Sequence, residues 1–221
     1  MTSFVSGDST FMDAEGNTVP IFNSPLVAQD PEDGGISANT SGTGLSLELT
    51  IIGDSEATVY TDQESSIPDT INSGDGNDDI NVGGGDDFVD GGDGGDLIFG
   101  GSGNDTIRGG KGADIIFGGS GADEFLIIGD PVDGALGADS DLIFGDGGIT
   151  SDNIIDFNDN EDTLVLENMQ LPGGASVSYD VDTGAVTLTD DTSGVSRVIA
   201  TLQPGLDITV IDQGDGNFTL M

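Results

Sequence analysis

The stretch GGKGADIIFGGSGADEF, residues 109–125, decides the fold because it contains two copies of one nine-residue unit. Residues 109–117 read GGKGADIIF and residues 118–126 read GGSGADEFL, so glycines, an aspartate and an apolar residue recur nine positions apart. The unit extends back to residue 73, which gives six copies over residues 73–126. A fixed short period is typical of solenoids, in which each unit packs on its neighbours. The sequence therefore predicts a solenoid in the middle of the chain.

Three positions of the unit do not vary: glycine at positions 2 and 4, and aspartate at position 6. The glycines are Gly74, Gly76, Gly83, Gly85, Gly92, Gly94, Gly101, Gly103, Gly110, Gly112, Gly119 and Gly121. The aspartates are Asp78, Asp87, Asp96, Asp105, Asp114 and Asp123. Glycine at alternate residues permits positive φ and leaves carbonyls unshielded, so a tight turn can direct several oxygens at one point. Aspartate adds a charged oxygen, and Ca²⁺, a hard cation with about six to eight oxygen ligands, suits that arrangement.

Position 8 of the unit is always apolar. It is occupied by Ile80, Val89, Ile98, Ile107, Ile116 and Phe125. Positions 7 to 9 are therefore predicted to form a short strand with position 8 directed inward. Two turns and two strands make one coil of eighteen residues.

The unit resembles the RTX repeat, G-G-x-G-x-D-x-U-x, whose members form calcium-binding parallel β-structures. The resemblance implies a β-roll with Ca²⁺ between successive turns, and it places aspartates eighteen residues apart on one edge. One edge would carry Asp78, Asp96 and Asp114, and the other Asp87, Asp105 and Asp123. Asp69 and Asp141 continue the eighteen-residue phase beyond the repeats, so we expect them in degenerate end coils.

Two other interpretations of the glycine-rich segment fit the sequence less well than a roll. A flexible low-complexity linker would not keep three positions invariant through six units. A phosphate-binding glycine loop needs a single loop before a helix, usually with a lysine, whereas Lys111 stands in a repeated strand pattern.

Residues 152–166, DNIIDFNDNEDTLVL, resemble the segment that closes RTX rolls, D-x-I-x-D-F-x-x-G-x-D-x-I-x-L. The matching residues are Asp152, Ile154, Asp156, Phe157, Asp162, Leu164 and Leu166, with Asn160 in place of the glycine. Asp152, Asp156 and Asp162 are candidate metal ligands or turn caps, and the sequence leaves both open. An EF-hand loop starting at Asp156 is disfavoured because Glu161 stands at the glycine position and the flanks alternate like strands.

The flanks are predicted to be β-structure as well. Residues 175–190 alternate in polarity around Asp-Thr-Gly, which indicates a hairpin, and Phe218, Leu220 and Met221 suit a last strand. Residues 45–60 alternate in the same way. The fold class is therefore all-β: a parallel β-roll with N-terminal strands and a C-terminal antiparallel region. The predicted divisions are 1–63, an N-terminal β region of unknown role, 64–145, the calcium-binding roll, and 146–221, the roll cap and secretion region.

The charge excludes several classes of partner. With 42 Asp and Glu against 3 Lys and Arg, the formal net charge is -39. That charge repels phosphates and anionic lipid headgroups, so binding to nucleic acid or docking on an anionic membrane is disfavoured, and no apolar stretch is long enough for a membrane span. A cation or a cationic partner is needed to neutralise so many carboxylates in one folded chain.

The chain is predicted not to be an enzyme. It contains no His and no Cys, which excludes the HExxH zinc site and Ser-His or Cys-His nucleophile pairs. A carboxylate pair could hydrolyse glycosides, but nothing marks one pair among the 42 acids.

The resemblance implies export. The N-terminus has no basic residue followed by an apolar core, so it does not resemble a Sec-type signal peptide. We therefore expect the export signal for a type I secretion machinery in the last 60 or so residues. The expected location is outside the cell or on the surface of a Gram-negative bacterium. The leading functional hypothesis is a structural subunit of a surface layer, fibre or matrix that folds on Ca²⁺ and associates with itself. The alternatives are a monomeric calcium-dependent adhesin or ligand-binding module, and a soluble calcium buffer.

The outward positions 7 and 9 of the units predict two unlike faces. One carries Phe88, Asp90, Thr106, Arg108, Glu124 and Leu126, and the other Asp79, Asn81, Leu97, Phe99, Ile115 and Phe117. Four large apolar side chains stacked on one face predict a covered surface, under flanking strands of the same chain or under a neighbouring subunit.

Overall fold

The computed structural model describes residues 10–12, 18–20, 26–29, 49–54, 59–61, 66–128, 152–169, 171 and 174–221. All regular elements in this part of the chain are strands. The strands before the repeats are β1 (Thr10–Met12), β2 (Thr18–Pro20), β3 (Leu26–Gln29), β4 (Leu49–Asp54) and β5 (Val59–Thr61). The strands of the central region are β6 (Thr70–Gly74), β7 (Asp79–Asn81), β8 (Phe88–Asp93), β9 (Leu97–Ser102), β10 (Thr106–Lys111), β11 (Ile115–Ser120) and β12 (Glu124–Ile128). The remaining strands are β13 (Asp152–Ile154), β14 (Thr163–Glu167), β15 (Ala175–Tyr179), β16 (Ala185–Asp190), β17 (Ser196–Thr201), β18 (Val210–Gly214) and β19 (Asn217–Leu220).

The strands form two large sheets and a separate pair. Sheet I has the order β18-β19-β14-β12-β10-β8-β6-β4-β3, and sheet II has the order β15-β16-β17-β13-β11-β9-β7-β5. The antiparallel pair β1-β2 makes a sheet of its own. From β4 to β14 successive strands alternate between the two large sheets, so the chain winds as a parallel roll. The predicted all-β class and parallel β-roll are confirmed.

The eighteen-residue coil is visible in the strand register. In sheet I, Thr106 pairs with Phe88, and in sheet II, Ile115 pairs with Leu97, each partner lying one coil away. Parallel pairing continues through β4 with β6 and β5 with β7 on the N-terminal side, and through β11 with β13 and β12 with β14 on the other. Both sheets thus contain strands from either side of the predicted boundaries at residues 63 and 145. The division into domains stays a prediction.

Position 8 of each unit fills the space between the sheets, as predicted. Ile80, Val89, Ile98 and Ile107 are fully buried, and Ile116 and Phe125 are 2% and 1% exposed. Tyr60 before the repeats and Leu164 after them extend the same core and are fully buried. Burying these side chains supplies apolar stabilisation of about 1.5–3 kcal/mol for each large aliphatic residue.

The C-terminal region closes both sheets with antiparallel strands. β15 and β16 form the predicted hairpin, and β16 continues into β17, which pairs in parallel with β13. β18 and β19 form a second hairpin whose β19 pairs with β14, so the predicted last strand is present. Phe218 and Leu220 face the core, whereas Met221 is 50% exposed. No helix that is long and apolar enough to cross a membrane occurs in the described residues.

Candidate metal centre

The aspartates at position 6 form two buried ladders along the edges of the roll. In each ladder the Oδ1 atom of one aspartate accepts a hydrogen bond from the backbone N–H of the aspartate one coil earlier. Ladder I consists of Asp69, Asp87, Asp105, Asp123 and Asp162. Ladder II consists of Asp78, Asp96, Asp114 and Asp152. The N–H to Oδ1 distances lie between 2.7 and 3.0 Å except for Asp114 to Asp152, which is 3.4 Å. The two predicted edges are therefore present.

In four aspartates of the repeats, the other carboxylate oxygen lacks a hydrogen-bond donor among the described residues. The Oδ2 atoms of Asp96, Asp105, Asp114 and Asp123 are buried and accept no hydrogen bond from the described residues. A buried charge without a partner is strongly unfavourable in a protein interior. These four oxygens therefore fit a bound cation better than they fit a solvent-free core.

Backbone carbonyls converge on the same space. A Cβ built on Gly91 would overlap both the Asp96 Oδ2 atom and the carbonyl oxygen of Gly109 on the next coil. At Gly100 the same atom would lie 2.6 Å from Asp105 Oδ2 and 2.7 Å from the Gly118 carbonyl oxygen. At position 1 of these units, one carboxylate oxygen and one carbonyl oxygen thus lie close together, and at Gly100 they lie beside the Ile107 side chain. These are the hard oxygen donors that Ca²⁺ prefers.

The invariant glycines are required by the stacking of the turns. Gly112 has a φ of 126°, and a Cβ there would collide with the carbonyl oxygen of Gly94 one coil earlier. Positive φ is shared by all twelve glycines at positions 2 and 4, namely Gly74, Gly76, Gly83, Gly85, Gly92, Gly94, Gly101, Gly103, Gly110, Gly112, Gly119 and Gly121. Each turn therefore brings its carbonyls close to the next turn, which no residue with a side chain would permit.

The ladders hold the carboxylates in an environment that opposes their charge. Burial raises the pKa of Asp96 to about 7, helped by the nearby charges of Asp114 and Asp78. Burial likewise raises the pKa of Asp105 to about 6, with Asp123 adding repulsion. The pKa values of Asp114, Asp123 and Asp162 are also raised, in each case mainly by burial. At the aspartates of the repeats, a bound Ca²⁺ would supply the positive charge that keeps the carboxylates ionised.

The donors of a site must be mostly main-chain oxygens. In the described residues no three acidic side chains converge on one point, because the ladders separate successive carboxylates by a whole coil. Ca²⁺ takes about six to eight oxygens, so carbonyls of the glycine turns have to complete its shell. The proposed ligand set at Asp78 to Asp123 and their turns fits this requirement and stays a prediction.

The aspartates after the repeats take several roles. Asp152 and Asp162 continue the ladders, although they follow Asp114 and Asp123 by 38 and 39 residues rather than by eighteen. Asp162 therefore occupies the place one coil after Asp123 that the spacing assigns to Asp141, and Asp141 lies outside the described residues. Asp156 accepts the backbone N–H groups of Gly118 and Gly119 at 2.9 and 3.0 Å, as a turn cap does.

Exposed hydrogen bonds between successive turns on both edges of the roll were not predicted. At position 5, Asn77 Oδ1 accepts the N–H of Gly95, Asp86 Oδ1 that of Asn104, and Asn104 Oδ1 that of Ala122. Each bond joins consecutive coils at the tip of a turn. The signal in the sequence is that three of the six position-5 residues are Asn or Asp, which readily bind nearby N–H groups.

The comparisons with known proteins agree with this geometry. Residues 68–89 and 90–125 match the family model of the RTX calcium-binding nonapeptide repeat, in four copies. No curated protein sequence is significantly similar to the chain. A solved structure, the AlgE6R3 subunit of the mannuronan C5-epimerase of Azotobacter vinelandii, is 21% identical over 68% of this chain and 72% of its own, with a TM-score of 0.33. So low a TM-score does not establish a shared activity. The repeat match, the parallel roll and the buried aspartate ladders lead to one conclusion: residues 68–125 of this chain are RTX calcium-binding nonapeptide repeats, and the protein binds several Ca²⁺ ions.

Proposed function

We propose that this protein is a secreted, non-catalytic structural subunit that folds on Ca²⁺ and assembles with copies of itself into an extracellular layer, fibre or matrix. The observation that carries the proposal is an apolar face on sheet II. We call it the sheet II face and define it as Leu97, Phe99, Ile115 and Phe117.

The four side chains of the sheet II face are paired across adjacent strands. Leu97 pairs with Ile115, and Phe99 pairs with Phe117, on the adjacent strands β9 and β11. The two phenyl rings stack with their centroids 4.7 Å apart and their planes inclined by 10°. Ile115 is 44% exposed and the other three side chains are half-buried, so the described strands do not cover this face.

A second copy of the chain suits this surface better than a charged ligand. Four large apolar side chains in register form a patch of the kind that marks protein interfaces. The neighbouring outward residues on β7 are Asp79 and Asn81, which gives the patch a polar rim. A net charge of -39 opposes contact between copies until the carboxylates are neutralised, so the assembly is expected to need Ca²⁺.

The test is a pair of matched double variants. Phe99→Asp with Phe117→Asp places two charges on the sheet II face and is expected to abolish assembly while calcium-induced folding remains. Phe88→Asp with Thr106→Asp makes the same change in charge on paired residues of sheet I and is expected to assemble normally. Sedimentation velocity and electron microscopy at millimolar Ca²⁺ provide the readout.

Two results would reject the structural role. If the wild-type protein stays monomeric at about 10⁻³ M Ca²⁺, the monomeric adhesin or ligand-binding module replaces it. If the sheet II variant assembles as well as the sheet I variant, the assembly uses another surface.

A non-catalytic role is supported by the matched family and by composition. The matching family is a calcium-binding repeat, and the chain contains no His or Cys that could serve as a general base or nucleophile. The proposal would be withdrawn if purified protein showed a turnover that is lost on mutation of a single carboxylate outside the ladders.

Export through a type I machinery is proposed on the basis of the repeat family. Deletion of residues 162–221 is expected to retain the protein inside a host that carries the cognate transporter. Deletion of residues 1–48 leaves β4 to β19 in place, serves as the control and is expected to be exported. Secretion of the first variant at the wild-type level would contradict a C-terminal address.

A further inference from the structure

The aspartates at the two ends of ladder I differ from the inner ones in what contacts their second carboxylate oxygen. Asp69 Oδ2 accepts a hydrogen bond of 3.1 Å from the buried hydroxyl of Tyr60. Asp162 Oδ2 accepts one of 2.8 Å from the backbone N–H of Asn158. The Oδ2 atoms of Asp105 and Asp123, between these ends, are buried and receive no donor from the described residues.

At the N-terminal end of ladder I, Tyr60 supplies the donor to the second oxygen of Asp69. It lies on β5 directly beside Ile80 of β7, so it occupies the inward place that an aliphatic residue fills in each repeat. The ring is fully buried, and its hydroxyl reaches the aspartate nine residues later. A hydroxyl that donates to a carboxylate stabilises the charged form without any ion, and such charge-assisted bonds are among the stronger ones in proteins.

At the C-terminal end, two carboxylates accept a backbone donor on each of their oxygens. Asp162 accepts the N–H of Asp123 on Oδ1 at 3.0 Å in addition to the bond from Asn158 on Oδ2. Asp156 accepts the N–H groups of Gly118 and Gly119 on its two oxygens. Both side chains therefore use each oxygen to satisfy the last glycine-rich turns and the segment that follows.

We propose that the calcium array has protein-made ends. Ca²⁺ is bound at the aspartates between the two ends of ladder I, whereas Asp69, Asp156 and Asp162 bind no ion. The number of ions along ladder I is then limited by the chain itself, because the carboxylates at its ends have protein donors that stabilise their charge. This inference rests on calcium binding by the repeats and is independent of assembly through the sheet II face.

The first test counts bound ions in matched variants of one ladder. Asp105→Asn and Asp69→Asn make the same change within ladder I, at an inner and an end position. Isothermal titration calorimetry at up to about 10⁻³ M free Ca²⁺ is expected to give the wild-type count for Asp69→Asn and at least one ion fewer for Asp105→Asn. A lost ion in Asp69→Asn, or a full count in Asp105→Asn, would overturn the proposal.

The second test needs no variant and so does not depend on whether a variant folds. Anomalous diffraction from crystals of the wild-type protein grown with Ca²⁺ locates each ion directly. We expect ions within about 2.3–2.6 Å of inner ladder carboxylates and none at that distance from Asp69, Asp156 or Asp162. An ion on any of these three residues would contradict the proposal, whatever the assembly state of the protein.

Discussion

Substituting a turn glycine should test the stacking of the coils more sharply than any core mutation. In Gly112→Ala the new Cβ meets the Gly94 carbonyl oxygen, and the backbone is held at a φ of 126°. Holding alanine in such a region costs about 1–3 kcal/mol. Relieving the overlap requires the coils to part beside the hydrogen bond from Gly94 N–H to the Lys111 carbonyl, which is 2.5 Å long, and losing that bond costs about 0.5–1.5 kcal/mol. The sum is a loss of roughly 1.5–4.5 kcal/mol in the free energy of unfolding.

Two control glycines separate the contributions. Gly194, in the turn between β16 and β17, has a φ of 70° but no atom within 4 Å of a built Cβ, so Gly194→Ala should lose only about 1–2 kcal/mol. Gly95 stands at position 5, where two other repeats carry alanine, and its Cβ would lie 3.4 Å from the Ala113 carbonyl oxygen. Gly95→Ala should therefore be neutral or stabilising by about 0.4–1 kcal/mol.

The assay is urea unfolding at saturating Ca²⁺, followed by circular dichroism, with the free energy extrapolated to zero denaturant. The expected order of stability is Gly95→Ala, then Gly194→Ala, then Gly112→Ala. If Gly112→Ala is as stable as Gly194→Ala, contact between successive turns does not require glycine and the account of the stacked turns is wrong.

The remaining predictions concern pH and the surface ion pairs. Because burial raises the pKa of Asp96 to about 7 and that of Asp105 to about 6, the calcium-free folded state holds more protons than the unfolded state between about pH 4 and pH 7. Without Ca²⁺ the roll should therefore become more stable as the pH falls through this window, so circular dichroism in chelator should show more β-structure at about pH 4 than at about pH 7. An equal or smaller β content at about pH 4 would refute this. As the pH falls through the same window, the apparent Ca²⁺ affinity should weaken, because binding of the ion releases protons from these aspartates. Calorimetry in buffers of different ionisation enthalpy would detect the released protons. A titration with no proton release at about pH 6 would count against ligation by these aspartates. Arg108→Ala, which removes the 3.1 Å pair with Asp90, should change the free energy of unfolding by less than about 1 kcal/mol, and a larger loss in the urea assay would mean that this pair fixes the register of β8 and β10.

Much of the fold follows from the repeat. Fixed glycines, a fixed aspartate and an inward apolar residue determine turn, edge and core, and the observed burial of Asp96 and Ile98 matches their places in the unit. The hairpin of β15 and β16 was predictable because alternation and a turn sequence act locally. These features depend on neighbours at short or constant separation, which a sequence displays directly.

The features that were missed depend on separations that change. Counting by eighteen points from Asp123 to Asp141, whereas pairing of Phe125 with Leu164 brings Asp162 into that place. The chain between β12 and β13 interrupts the period, and strand pairing follows the apolar pattern of β14 rather than the count. The hydrogen bond from Tyr60 to Asp69 was missed for a related reason, because residues 59–61 join the roll without carrying the glycine turn that marks a repeat.

The central claim is that Ca²⁺ holds the buried aspartate ladders together, and far-ultraviolet circular dichroism with and without the ion tests it most directly. In chelator at neutral pH, the unpartnered buried carboxylates and the glycine-rich turns should keep the repeats unfolded, because ordering each residue costs about 1–2 kcal/mol that no ion offsets. On addition of Ca²⁺ to about 10⁻³ M, we expect a cooperative gain of β-structure that reverses with chelator. The same β content in chelator and in millimolar Ca²⁺ would contradict the account.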